Sequence, residues 1–263
     1  MNAFEAIFIR KSIRKYDEAG LSKEMLEKVE DIIRKADRLY SDIDMKIHIV
    51  EEGKKIQAIS SGFIGSYGKI YGPHYLVMTS VEKEGYLENI GYTLENVVLE
   101  LAALGIGTCW IGGSIKKNLL DGIIHIPTGH TPVIVISFGK PSKGNELIRS
   151  EAGKVKRKPL SEILSGGMEG EWKDIMEAVR LAPSAVNLQP WRFSFSNEYI
   201  HAFVVKRGGL MSKHLSLMNR IDIGISLSHL AIAARHFNKD LRFEKLPGVL
   251  EKGLIYITSA ARQ

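Results

Sequence analysis

Two short segments of the chain concentrate side chains that could do chemistry. The first is Arg10-Lys11-Ser12-Ile13-Arg14-Lys15-Tyr16, where cations and a hydroxyl precede an amphipathic stretch. Such a set suits a phosphate, bound through charge-assisted hydrogen bonds. The competing reading is a solvated basic end. The second is Ala182-Pro183-Ser184-Ala185-Val186-Asn187-Leu188-Gln189-Pro190-Trp191-Arg192-Phe193. Pro183 stops the preceding helix, and Pro190 returns the chain to an extended run. Ser184, Asn187 and Gln189 hang from the loop between them. Hydroxyls and amides so closely spaced can grip a planar heteroaromatic ring; a plain connector needs none of them.

The elements that must position these segments alternate between helical and strand patterns. Residues 22–38 open on Ser22 and set Met25, Leu26, Val29, Ile32, Ile33 and Ala36 on one face, a capped amphipathic helix. Runs at 45–50, 75–79, 131–138, 191–195, 199–205 and 254–258 read as strands. The stretch 91–104 is apolar on more than one face and predicts a central, nearly buried helix. Further helices are expected around 171–182 and over 219–237, and Gly62–Gly68 reads as a loop.

Several familiar chemistries are excluded. Gly105-Ile106-Gly107 follows a helix and lacks the third glycine of a dinucleotide fingerprint. The sequence holds no phosphate-binding G-x-x-x-x-G-K-[ST] loop and no G-x-S-x-G elbow. Its eight histidines show no H-E-x-x-H spacing, and His125 with His130 would lack further metal ligands. Cys109 has no nameable activating base and reads as a small buried hydrophobe.

Composition narrows the class. With 263 residues, 44% hydrophobic and 25% charged, the chain is an ordinary globular protein, neither collagen-like, disordered nor disulfide-rich. No apolar run is long enough for a membrane span, and the first residues do not follow secretory order. A single cysteine cannot form an internal disulfide, so a cytoplasmic protein is expected. The net charge of +6 attracts anions. The basic knots at 10–15 and 154–158 lack the interleaved aromatics of a nucleic-acid surface, so the phosphate of a small cofactor is the expected partner.

The two halves resemble one another. An offset of 146 lays Ile33-Arg34-Lys35-Ala36 on Val179-Arg180-Leu181-Ala182, and Lys46-Ile47-His48-Ile49 on Arg192-Phe193-Ser194-Phe195. An offset of 133 lays Ile90-Gly91-Tyr92-Thr93-Leu94 on Ile223-Gly224-Ile225-Ser226-Leu227. A loop deletion explains the difference. Two related lobes are therefore expected, 1–150 and 151–263, packed as a fused pseudo-dimer with 151–165 as the linking tail.

The segment APSAVNLQPWRF resembles the signature loop of the FMN-dependent nitroreductase family. RKSIRKY resembles that family's opening basic motif, and GYTLENVVLELAALGIGTCWIGG its central helix and following loop. TPVIVISFGKPS and KVKRKPLSEIL resemble its last strand and basic tail. One departure stands out. The proline–serine loop comes after the family's usual C-terminus, while the equivalent place in the first half, 37–42, has lost it.

The resemblance implies an α+β fold with mixed sheets flanked by helices and one FMN shared between the lobes. It places Arg10, Lys11, Ser12 and Arg14 on the phosphate and ribityl chain, with Arg157 closing over the phosphate from the tail. Ile111, Gly112 and Gly113 would approach the flavin N5 edge. Pro183, Ser184, Ala185, Asn187 and Gln189 would lie against the isoalloxazine, with Ala185 where many members carry serine. Nothing is carried over onto 53–74. The implied activity is reduction of an electron-poor small molecule, such as a nitroaromatic or quinone, by NADH or NADPH through FMN. A non-catalytic flavin-binding protein is the alternative, and a dead interaction protein on the same fold a further one. The pseudo-dimer reading expects a monomer in solution.

Overall fold

The computed structural model describes residues 1–59, 70–112, 116–145, 147, 155–196, 198–206 and 212–262, with backbone alone at 212–214. Gly113 and the expected loop at Gly62–Gly68 lie outside the described residues. The chain divides into two compact units. One comprises Met1–Ala36, Tyr40–Tyr86 and Val97–Ser150, the other Asp37–Leu39, Leu87–Asn96 and Glu151–Gln263.

The first unit opens with α1 (Ala3–Ile9), which the apolar periodicity does not announce. Its start signal is nonetheless in the sequence. Asn2 Oδ1 accepts the Glu5 N–H and Glu5 Oε2 accepts the Asn2 N–H, both at 2.9 Å, a reciprocal capping box. The expected amphipathic helix is α2 (Lys23–Lys35), capped by Ser22 and ending at Ala36. Four strands follow: β1 (Met45–Val50), β2 (His74–Ser80), β3 (Gly107–Ile111) and β4 (Thr131–Gly139). A short helix, α3 (Gly53–Ile59), lies between β1 and β2. The sheet runs β1-β2-β4-β3 and every pairing is antiparallel. Ile13, Tyr16, Val50, Ile56, Tyr75, Val77, Cys109, Ile111 and Val135 form a shared buried cluster.

Helix α4 (Tyr86–Ala103) is buried along most of its length, as its all-round apolarity predicts. Its Leu87–Asn96 segment belongs to the second unit. That unit continues with α5 (Leu160–Ile163), β5 (Leu164–Ser165), α6 (Glu171–Arg180), β6 (Trp191–Phe195) and β7 (Tyr199–Val205). It closes with α7 (Ser212–His236), β8 (Leu241–Glu244) and β9 (Leu254–Arg262). The sheet order is β5-β6-β7-β9-β8, with β5 parallel to β6 and the other pairings antiparallel. Without β5, this is the strand order of the first sheet, with a long helix inserted after the second strand in both cases.

Within the second unit, the Leu87–Asn96 segment crosses α7 at two glycines. A Cβ on Gly91 would stand 2.0 Å from the Ile221 carbonyl oxygen, and one on Gly224 2.1 Å from that of Glu88. Asn96 Nδ2 donates to Ser228 Oγ at 2.9 Å, Arg220 pairs with Glu88, and His229 Nε2 lies 3.1 Å from Glu95 Oε1. Among the described residues, no helix is long and apolar enough to cross a membrane.

Candidate functional site

In the first unit the basic segment runs along β3. Ser12 forms a parallel bridge with Thr108, and the Ile13 N–H donates to the Thr108 carbonyl at 2.9 Å. Gly107 makes room for this, since a Cβ there would stand 2.7 Å from Ile13 Cγ1. Tyr16 fixes the end of the segment by donating to the Ile13 carbonyl at 2.7 Å, with Ser137 Oγ 2.8 Å away. Burial of Tyr16 pushes its phenol pKa up.

Arg10 ends α1 and is only 2% exposed, so the reading of a solvated basic end fails for it. Lys11 and Ser12 are half-buried and Arg14 is exposed. β3 carries the chain from Thr108 to buried Ile111 and half-buried Gly112. The unit therefore brings together Arg10, Lys11, Ser12, Arg14, Ile111 and Gly112 through one strand and the segment beside it. Cys109 on that strand is 1% exposed, and burial raises its thiol pKa although Arg14, Arg10 and Ser12 pull it down. It is a packed core side chain.

In the second unit α6 ends at Arg180 and the chain turns through Pro183 into a short 3-10 turn, Ala185–Asn187. Three residues without glycine's freedom hold positive φ: Val186 at 43°, Asn187 at 58° and Gln189 at 48°. The loop is laced to itself and to the basic tail. Ser184 Oγ accepts the Gln189 N–H at 2.9 Å. Arg157 Nη1 donates to Asn187 Oδ1 at 2.8 Å and Arg157 Nη2 to the Leu181 carbonyl at 3.2 Å. Asn187 Nδ2 donates to the Lys156 carbonyl at 2.9 Å, and Gln189 Oε1 accepts the Lys158 N–H at 2.7 Å. Arg157, Pro183, Ser184, Ala185, Asn187 and Gln189 are thus brought together. The amides of Asn187 and buried Gln189 are engaged with the tail, a role that the ring-gripping expectation does not include.

One residue at this loop is missing from the sequence reading. Asp222, on α7 and 3% exposed, accepts the Ala185 N–H on both oxygens, at 3.0 and 3.2 Å. Burial pushes its carboxyl up to about 7, while the Ala185 N–H pulls it down. Its signal was available as a lone acid within the apolar run Ile221–Leu227.

A layered α+β fold carrying a basic strand-edge segment and a proline-bounded amide loop is that of a nitroreductase. The family model described as "Putative TM nitroreductase" matches residues 2–234, and the chain belongs to that family and with it to the oxidoreductases. The chain is similar to a "putative nitroreductase" of Thermotoga maritima MSB8, with a TM-score of 0.66 and 23% identity over 99% of this chain and 93% of that one. It is also 25% identical, over 54% of its length and 79% of the relative's, to a "Putative NADH dehydrogenase/NAD(P)H nitroreductase" of Methanothermobacter thermautotrophicus.

Proposed function

We propose that this oxidoreductase works through one FMN per chain, taking reducing equivalents from NADH or NADPH and passing them to an electron-poor acceptor such as a nitroaromatic or quinone. The observation that carries the proposal is the 2.8 Å hydrogen bond from Arg157 to Asn187. It joins the basic tail to the proline–serine loop, two segments that the family resemblance assigns to the same flavin. The donor set fits the cofactor's phosphate, with cations and hydroxyls, and the loop's amides hold the tail that carries Arg157 beside it.

FMN, when bound, supplies the hydride chemistry, so the chain itself needs to bind, orient and stabilise charge. Arg10, Lys11, Ser12 and Arg14 neutralise the phosphate, joined by Arg157. Backbone N–H groups at Ile111, Gly112 and Gly113 are suited to stabilising negative charge on a reduced ring, because small residues permit close approach. Pro183, Ser184, Ala185, Asn187 and Gln189 form the loop that accepts the ring.

We also read the chain as an internal duplication, a cytoplasmic monomer that serves as its own dimer. The shared strand order of the two sheets supports this, as do the contacts of Gly91 and Gly224.

The test is a visible spectrum after saturation with FMN and desalting, with released flavin counted per chain. About one flavin, bleached by NADH or NADPH, is the expected result. Bound flavin that neither nucleotide bleaches would make the chain a flavin store. Two flavins per chain would mean that the 37–42 segment still serves a site, and none would remove the FMN claim.

A further inference from the structure

The buried Asp222 has no part in the chemistry proposed above, yet it meets the loop where its backbone becomes strained. Val186, Asn187 and Gln189 put three of four consecutive residues at positive φ. L-residues avoid that region, β-branched ones most strongly, so a loop of this shape needs anchors to hold it. Ser184 Oγ anchors its far end at Gln189, and the tail anchors its side chains. Its near end is tied through the Ala185 N–H to Asp222.

We propose that Asp222 is a positioning residue whose ionised carboxylate, through the Ala185 N–H, holds the 184–189 loop in the shape that receives the ring ligand. The inference rests on the FMN reading for the identity of that ligand alone. A hydrogen bond to a carboxylate is roughly twice as strong as one to a neutral oxygen, so protonation slackens the tie.

Several charged groups on neighbouring elements pair with other residues. On α7, Arg220 pairs with Glu88 and His229 lies against Glu95. On α6, Arg180 pairs with Glu177, and from the tail Arg157 reaches Asn187 and Leu181. Burial then governs the carboxyl and raises it to about 7, which puts the change within the neutral range. The tie is firm above that pH and slack below it.

Two measurements test this on the full chain: the amide shift of Ala185 in flavin-free, nitrogen-15-labelled protein, and the FMN dissociation constant, both as functions of pH. In the wild type the Ala185 shift should titrate near neutrality. FMN binding should weaken about tenfold between about pH 8 and pH 6 beyond the change in Asp222→Asn. That variant carries the same FMN phosphate titration, and its Ala185 shift should stay flat. A wild-type Ala185 amide that does not titrate would overturn the proposal, and this arm needs no variant to fold. An affinity profile identical in wild type and Asp222→Asn would also overturn it. A titrating amide in a chain that binds no FMN at any pH would keep the tie and remove the flavin reading.

Discussion

Gly91 and Gly224 make the same contact in opposite directions. Gly91 faces the carbonyl of Ile221, three residues before Gly224, and Gly224 faces the carbonyl of Glu88, three residues before Gly91. The offset of 133 that aligns the two glycines in sequence also aligns Glu88 with Ile221. It likewise exchanges the Glu95–His229 pair with the Asn96–Ser228 pair. Reciprocity of this kind is what the proposed duplication expects of these two segments.

A methyl group at either glycine has nowhere to go, because its nearest neighbour would be backbone about 2 Å away. Gly91→Ala and Gly224→Ala should each cost ~3 kcal/mol, the upper end of overpacking costs. Thermal melting should show a fall of several degrees for each. Gly167→Ala, which would meet nothing within 4 Å, should melt close to the wild type.

The fully buried side chains of Glu95 and His229 meet at one hydrogen bond. His229 Nδ1 lies 2.9 Å from the Ala178 carbonyl, which can only accept, so Nδ1 carries a hydrogen. The 3.1 Å contact between Nε2 and Glu95 Oε1 then needs one more proton on either partner. Glu95→Gln can still donate to Nε2 and should cost less than ~1.5 kcal/mol in urea unfolding. Glu95→Ala removes the partner and should cost ~3 kcal/mol or more. Equal losses in both variants would count against a stabilising hydrogen bond at Nε2.

Burial of Asp222 has a stability consequence opposite in sign to its proposed effect on FMN. Its folded value of about 7 lies above the ordinary 3.8, so the folded chain binds this proton more tightly than the unfolded chain. The contribution is fully present below about pH 4 and declines until about pH 7, by a few kcal/mol at most. Asp222→Asn should therefore melt higher than the wild type at pH 8 and show no such gain at pH 4. A lower melting point at pH 8 would mean that the charged tie outweighs the cost of burying it.

If Arg10 and Asn187 serve one cofactor, Arg10→Ala and Asn187→Ala should each weaken FMN binding about 10- to 100-fold, the effect of losing a hydrogen bond to a charged or buried partner. Fluorescence titration measures this. Unchanged affinity in both variants would sink the assignment.

Val186 is a β-branched residue at a φ of 43° and is 63% exposed. Asparagine tolerates that backbone better, so Val186→Asn should stabilise the chain by ~1 kcal/mol in urea unfolding. No gain would show that the Val186 side chain repays its strain through a contact of its own.

Much of this architecture was legible because hydrophobic periodicity is a local record of burial. The apolar-rich runs at 45–50, 191–195 and 199–205 predict strands with the bounds that the structure shows. The all-round apolarity of 91–104 gave a buried helix, although its start at Tyr86 follows a left-handed Gly85 that periodicity does not register. β8 escaped notice because four residues are too few for alternation to rise above chance, and β3 because Cys109-Trp110-Ile111 runs apolar without alternating. The chemistry-bearing segments could be found by residue type, since prolines, amides and clustered cations have few other uses at such density.

Motifs resembling the family, then, carried the fold class, the family and the segments that could meet a flavin, while side-chain type and spacing determined the elements and the bland packing of Cys109. The latter follow from local preferences and from burial, which every stretch of sequence records for itself. Tertiary structure decided which groups meet. It buried Arg10 at the end of α1, gave the amides of Asn187 and Gln189 to the tail, and set Asp222 against Ala185. Those pairings join residues about 30 or more positions apart, and a hydrogen bond between distant residues leaves no periodic trace in either segment.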